Sequence, residues 1–244
     1  MRCAPLWMRE IYILGGHSDR VSDLAADLAE WMKKDKRFVD RVRLAGLFHD
    51  IGKVGISDKI LMKPDKLDDQ EYENIKKHSD KGAKILSAIT LFNDVVPIVR
   101  HHHERIDGRG YPDGLKGDEI PISAQVVSLA DVYDALVGER VYKKAYSHEK
   151  AIQMILNGEC GAFNPILLEC LLDIQDRIKR KVKGSTQENN PLKKKEKSAE
   201  LKEFENAKED FMDSVFKNME KEYTDLGNPE NADFSKGGGA KPKC

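Results

Sequence analysis

The sequence predicts an all-α fold. Three observations point there. Apolar residues recur at helical spacing through most of positions 17–182, no run alternates convincingly with period two, and capping and breaking residues fall where such helices would start and stop. After Gly15-Gly16, positions 17–34 set Val21, Leu24, Ala25, Leu28, Trp31 and Met32 on one face. Positions 1–16 are therefore expected to be a short segment ahead of the first helix. A second helix over 39–51 is buried along Val42, Ala45 and Phe48, and Gly52 and Gly55 mark its end. Asp68 followed by Glu71 is a capping-box signal for a third, running through Ile75, His78, Ile85 and Leu86. A fourth covers 93–104, with Pro97 suited to its first turn. Positions 107–121 are rich in Gly, hold Pro112 and Pro121, and read as a loop. Helices follow over 123–137, 147–157 and 165–182, with Ser147 and Pro165 at natural starts.

Composition changes at about position 183. Residues 183–198 are polar with two basic clusters and form a linker. Residues 199–223 return to helical spacing, with Leu201, Phe204, Phe211, Val215 and Met219 along one face. That stripe suits a homodimer or signalling-partner contact and equally suits packing on its own domain. The Gly-, Asn- and Lys-rich tail, 224–244, is expected to be disordered.

A net charge of -1 gives no argument for a nucleic-acid polymer or an acidic membrane as partner. Cys3, Cys160, Cys170 and Cys244 are scattered and form no C-x-x-C pair, which excludes a zinc ribbon and a disulfide framework. Arg9 and Glu10 interrupt the only early apolar run, so neither a leader nor a membrane span is expected, and the cytoplasm is the expected location.

Histidines and acids carry the chemistry. His49-Asp50 closes an apolar helix, just before Ile51-Gly52-Lys53. Burying an imidazole beside a carboxylate costs several kcal/mol, about 2–7 for a lone polar group, and a divalent cation would offset both at once. Taken alone, the pair fits a plain helix surface as well as a metal. His101-His102-His103-Glu104 ends a further helix and leads into Asp107-Gly108-Arg109-Gly110-Tyr111-Pro112. Consecutive helical side chains diverge by about 100°, so two of these rings reach one centre only at the helix end. Asp131 and Asp134 share a face at i, i+3, where a surface pair or a helix–helix salt bridge is the alternative.

Together these segments resemble the HD-GYP domains, a bacterial branch of the HD phosphohydrolase superfamily. The resemblance rests on His49-Asp50-Ile51-Gly52-Lys53, His102-His103-Glu104-Arg105, Asp107-Gly108, Gly110-Tyr111-Pro112, Asp131 to Leu136 and Arg140 to Lys143, and it covers about residues 17–175. It implies an HD-domain helical bundle over 17–182 with a C-terminal helical extension, and a phosphodiesterase for cyclic di-GMP that yields linear pGpG and, in some members, GMP.

The same resemblance implies two divalent cations, Fe or Mn. His17, His49, Asp50 and Asp131 would hold one, and Asp50 would bridge to a second that also takes His78, His102 and His103. Asp50 and Lys53 match the catalytic positions, with Lys53 placed for the phosphate or the leaving 3′-oxygen. Lys53, Gly110, Tyr111, Pro112, Asp134, Arg140 and Lys143 match substrate-contacting positions. Some members hold a third metal with a Glu four residues before the first ligand histidine; that position is Ile13 here, so two are expected. Asn164 stands where the family more often has Asp, and Ser57 and Gln125 replace a common Pro and Arg, away from the expected ligands. The resemblance begins so near Met1 that little room remains for the family's preceding helix. This implies a fragment, or regulation through the C-terminal helix or another chain. The alternatives left open are a phosphohydrolase for another cyclic dinucleotide or nucleotide, and a non-catalytic cyclic di-GMP receptor.

Overall fold

The helix that carries His17 starts well before it. In the computed structural model, which describes residues 6–138 and 145–185, α1 (Leu6–Trp31) runs without a break through Gly15-Gly16. The expected boundary at position 16 is corrected by this. Glycine in a helix costs about 1 kcal/mol relative to alanine, and tertiary context readily overrides such a sum.

Asp35 caps α2 (Lys36–Phe48), its carboxylate accepting from the Phe38 N–H at 2.7 Å. The helix stops at Phe48, three residues short of the expected end, and residues 51–55 tighten into a 3-10 turn. A short α3 (Asp58–Leu61), which helical spacing had not indicated, precedes α4 (Asp69–Ser87). The expected capping box is formed: the Glu71 N–H donates to Asp68 and the Asp68 N–H donates to Glu71. A 3-10 turn at Thr90–Phe92 leads into α5 (Val96–His101), with Pro97 in its first turn. The expected helix over 93–104 is thus shorter at both ends, and His102 is its C-cap. The loop that follows is pinned by one isolated bridge between Asp107 and Lys116. Then come α6 (Ile122–Val137), α7 (His148–Leu156), capped by the Ser147 side chain, and α8 (Pro165–Ser185). No strand occurs among the described residues.

The core lies where α1, α2 and α6 cross. Val21, Ala25 and Leu28 of α1, Val42 and Ala45 of α2, and Val126, Leu129 and Ala130 of α6 are fully buried. Burying one such Val or Leu side chain contributes roughly 1.5–3 kcal/mol. Gly46 lets α2 approach α1 closely: a Cβ there would stand 2.7 Å from Ser22 Cα. Against the outer side of α1 lies α8, with Cys170 Sγ 3.6 Å from the Leu28 carbonyl and Arg177 paired to Asp27 at 2.8 Å. A compact unit spans Met1–Gly184, and α8 runs slightly past the expected end of the domain at 182. The expected linker beyond α8, the helix over 199–223 and the tail lie outside the described residues. Among those described, no helix is long and apolar enough to cross a membrane.

Candidate metal centre

Five imidazoles and two carboxylates from separate elements converge on one buried spot. His17 comes from α1, His49 and Asp50 from the end of α2, His78 from α4, His102 and His103 from the end of α5, and Asp131 from α6. Two donor sets are formed. Asp50, His78, His102 and His103 offer atoms within 4.8 Å of one another, and so do His17, His49 and Asp50. Asp50 belongs to both. Asp131 joins the second set, its Oδ1 3.3 Å from His17 Nε2 and 3.7 Å from His49 Nε2.

Ring orientation follows from the helices themselves. The last turn of a helix leaves carbonyls without intrahelical donors. His49 and His102 sit just there, and their Nδ1–H groups donate to the Gly46 and Val99 carbonyls at 2.8 and 2.6 Å. His78 does the same to the Ile75 carbonyl at 2.7 Å. A carbonyl can only accept, so in each ring the proton is fixed on Nδ1 and Nε2 faces the centre. Nε2 of His78 and of His102 then meet at 3.4 Å, and Nε2 of His49 is buried with no hydrogen-bond partner. Facing lone pairs and an orphaned buried nitrogen are what a cation would relieve.

Charge divides the centre into two halves. Burial, joined by the neighbouring rings, pushes His102 well down, and burial takes His103 down to about 3 despite Asp131 and Asp50; His78 is lowered by burial as well. Burial thus favours the neutral form of all three rings. Burial also acts downward on His17, but the Asp131 and Asp134 carboxylates outweigh it and hold the ring up at about 9. His49 is likewise raised, Asp50 outweighing burial. Burial acts upward on Asp50, yet Lys53, His49 and His78 hold it well below the usual carboxylate range.

The remaining expected site residues are placed as follows. Lys53 Nζ lies 2.6 Å from Asp50 Oδ2. Gly52 packs against α4, where a Cβ would overlap the His78 carbonyl oxygen. Tyr111 roofs the centre, its ring tilted 32° to His103 with centroids 4.7 Å apart. Gly110, expected to touch substrate, meets the backbone of Glu104 and Arg105 so closely that a Cβ would overlap it; the glycine is required by that packing. Pro112 follows Tyr111 in the same turn. Asp134 stands behind His17. It is buried, with Oδ2 accepting from His17 Nδ1 at 2.7 Å and both oxygens held by Arg20 at 2.6 and 2.9 Å. Its carboxylate therefore orients His17. Arg140 and Lys143 lie outside the described residues.

Two residues with clear positions were assigned no role from the sequence. Arg20, one turn after His17, fixes Asp134. Glu104 is buried and accepts from the Asp113, Gly114 and Leu115 N–H groups at 2.7, 3.1 and 3.1 Å, which shapes the loop bearing Tyr111. Spacing from His17 and adjacency to His103 were the available signals. His101 points elsewhere, its Nε2 2.9 Å from Asp113.

An all-α bundle that gathers five imidazoles and a second carboxylate around a shared aspartate defines a helical domain with a donor cluster able to hold metal. Comparison with known proteins makes this specific. The HD domain family profile matches residues 5–161. The chain belongs to the HD domain family, in its HD-GYP branch. A probable cyclic di-GMP phosphodiesterase of Vibrio cholerae is 46% identical over 142 residues, 55% of this chain and 32% of that protein. A cyclic di-GMP phosphodiesterase of Thermotoga maritima is 40% identical over 164 residues, covering 66% of this chain and 45% of that one. A 3'3'-cGAMP-specific phosphodiesterase of Vibrio cholerae is 39% identical over 166 residues, 67% of this chain and 32% of that protein. Among solved structures, an HDG"Y"P protein from Bdellovibrio bacteriovorus aligns with a TM-score of 0.56 at 25% identity, covering 67% of this chain and 52% of that one. The matched stretch thus spans a third to a half of the curated relatives' length.

Proposed function

We propose that the chain is a metal-dependent phosphodiesterase that opens cyclic di-GMP to linear pGpG, and on to GMP where the second bond is also cut, using two divalent cations. The observation that carries this reading is the pair of donor sets sharing Asp50. His17, His49, Asp50 and Asp131 would hold one cation, and Asp50, His78, His102 and His103 the other. Imidazole and carboxylate donors without a thiolate suit Fe or Mn. When bound, such a pair supplies Lewis acidity toward phosphoryl oxygens and makes water a nucleophile near neutral pH.

The chain's own groups do the rest. The Nδ1 latches and Asp134 hold the rings in place, so that little reorganisation remains on substrate arrival. An ammonium carries three donors, so Lys53, paired once to Asp50, keeps two for a phosphate oxygen and the departing 3′-oxygen. Tyr111 covers the centre from above and limits water to the reacting side. Arg140 and Lys143, by their motif positions, bind the dianionic ligand.

One observation favours a second reading of the substrate: a relative 39% identical to this chain is named for 3'3'-cGAMP. Incubating the Mn- or Fe-loaded protein with a panel of cyclic dinucleotides, followed by product chromatography, separates the two. The expected product is pGpG from cyclic di-GMP, absent in His49→Ala and Asp50→Ala. Protein that keeps its metals and leaves cyclic di-GMP intact contradicts the substrate assignment. Tight binding without product would instead make the domain a receptor.

A further inference from the structure

The rim beside Tyr111 holds a cation and an aromatic ring that the mechanism does not use. Lys76 lies on α4, two residues before His78. Its Nζ stands 5.4 Å from the Tyr72 ring centroid and 5.9 Å from that of Tyr111, lying over both rings at the outer limit of a cation–π contact. Tyr72 precedes Lys76 by one helical turn and is 51% exposed, which leaves a large ring open at the surface. Tyr111 connects this rim to the centre through its contact with His103. The carboxylate beside Lys76 is Glu73, at 2.6 Å and 63% exposed. Exposed ion pairs of this kind contribute little and are readily given up to a ligand.

A flat π-face beside a fixed ammonium has a chemical match in a purine whose edge presents acceptors. Guanine offers O6 and N7 side by side, and a lysine ammonium donates to both. Adenine sets an amino donor next to N7 and meets the same ammonium with a repelling N–H. Stacking on an aromatic ring tolerates either base, so discrimination falls to the cation. Lys53 stands at Asp50, whereas Lys76 stands farther out, on the far side of Tyr111's contact with His103.

We propose that Tyr72 and Lys76 form the base-recognition contact of this site, Tyr72 by stacking and Lys76 by donating to guanine O6 and N7. The inference rests on the cyclic-dinucleotide reading and adds to it the residues that select guanine. Lys76 touches the base, away from the reacting atoms, so its loss changes KM far more than kcat.

The test compares wild type, Lys76→Met, Lys76→Arg and Tyr72→Leu in the metal-loaded full chain. The substrates are cyclic di-GMP, cyclic di-AMP and bis(p-nitrophenyl) phosphate, a diester with no base. Lys76→Met is expected to lower kcat/KM for cyclic di-GMP roughly tenfold, through KM, and to leave the other two substrates unchanged. Lys76→Arg, which also presents two donors, restores the preference. Tyr72→Leu weakens both dinucleotides together and spares the simple diester. An equal loss on all three substrates in Lys76→Met, or an unchanged ratio of cyclic di-GMP to cyclic di-AMP, overturns the proposal. Calorimetric binding of the two dinucleotides to wild type and Lys76→Met reads the same preference without turnover. If neither dinucleotide is cleaved, the hydrolase reading fails while this measurement still decides the role of Lys76.

Discussion

At the scale of single residues, the centre is organised by hydrogen bonds that face away from it. His17 depends on Asp134, which depends on Arg20. Removing the charge in Asp134→Asn is expected to weaken one of two bound cations by about 10–100-fold and to spare the other, read by metal titration with competing chelator. Equal weakening of both cations would mean that Asp134 acts on the fold and not on His17. A pH effect follows from the same contact. His17 has its pKa raised from 6.5 to about 9 in the metal-free protein. A raised pKa gives stability that is fully present below about 6.5 and is lost as pH rises through about 9. Melting temperature of the metal-free wild type should therefore fall across that window, and fall less in Asp134→Asn. Several of these residues were legible in the sequence, because His49-Asp50 and His102-His103 stand out as clusters. His17 and His78 were legible only through the family resemblance, since each is a lone histidine on a helix. The role of Asp134 was not legible: i, i+3 spacing from Asp131 gives a shared face but not which carboxylate turns to the metals and which to a ring nitrogen.

At the scale of elements, helix ends decide where the ligands stand. α2 and α5 both stop just before their histidine pairs, and the free carbonyls of those last turns take the Nδ1 protons. Beyond α2 the apolar Ile51 carries the periodicity on, and beyond α5 the run His102-His103-Glu104 holds no helix breaker, which is why both helices read too long. The capping box at Asp68 and the Ser147 cap were legible, since each is a local contact between residues three apart. The start of α1 was not, because Gly15-Gly16 has the local signature of a break. The loop bearing Tyr111 is held by Glu104, whose carboxylate serves three N–H groups. Glu104→Ala is expected to cost about 1–3 kcal/mol. Faster amide exchange at Asp113, Gly114 and Leu115, with α1 and α6 unchanged, would localise that cost; exchange unaltered at the three amides would contradict the role given to Glu104. Gly52→Ala should cost about 3 kcal/mol or unfold the protein outright, because the methyl group meets the α4 backbone. A melting curve close to that of wild type would count against this close approach.

At the scale of the whole domain, the centre joins α1, α2, α4, α5 and α6, elements that also meet through apolar packing and a few ion pairs. A ligand bound by the native arrangement alone stabilises it by mass action, about 2.7 kcal/mol at a hundredfold excess over Kd. Chelation should lower the melting temperature, and restoring Mn should return it. The account stands on six side chains meeting around a shared aspartate, and metal stoichiometry tests it most directly. Elemental analysis of protein purified without oxygen is predicted to give two cations per chain in wild type and at most one in Asp50→Ala. Two cations retained in Asp50→Ala, or none in a folded wild type supplied with Fe and Mn, would contradict it.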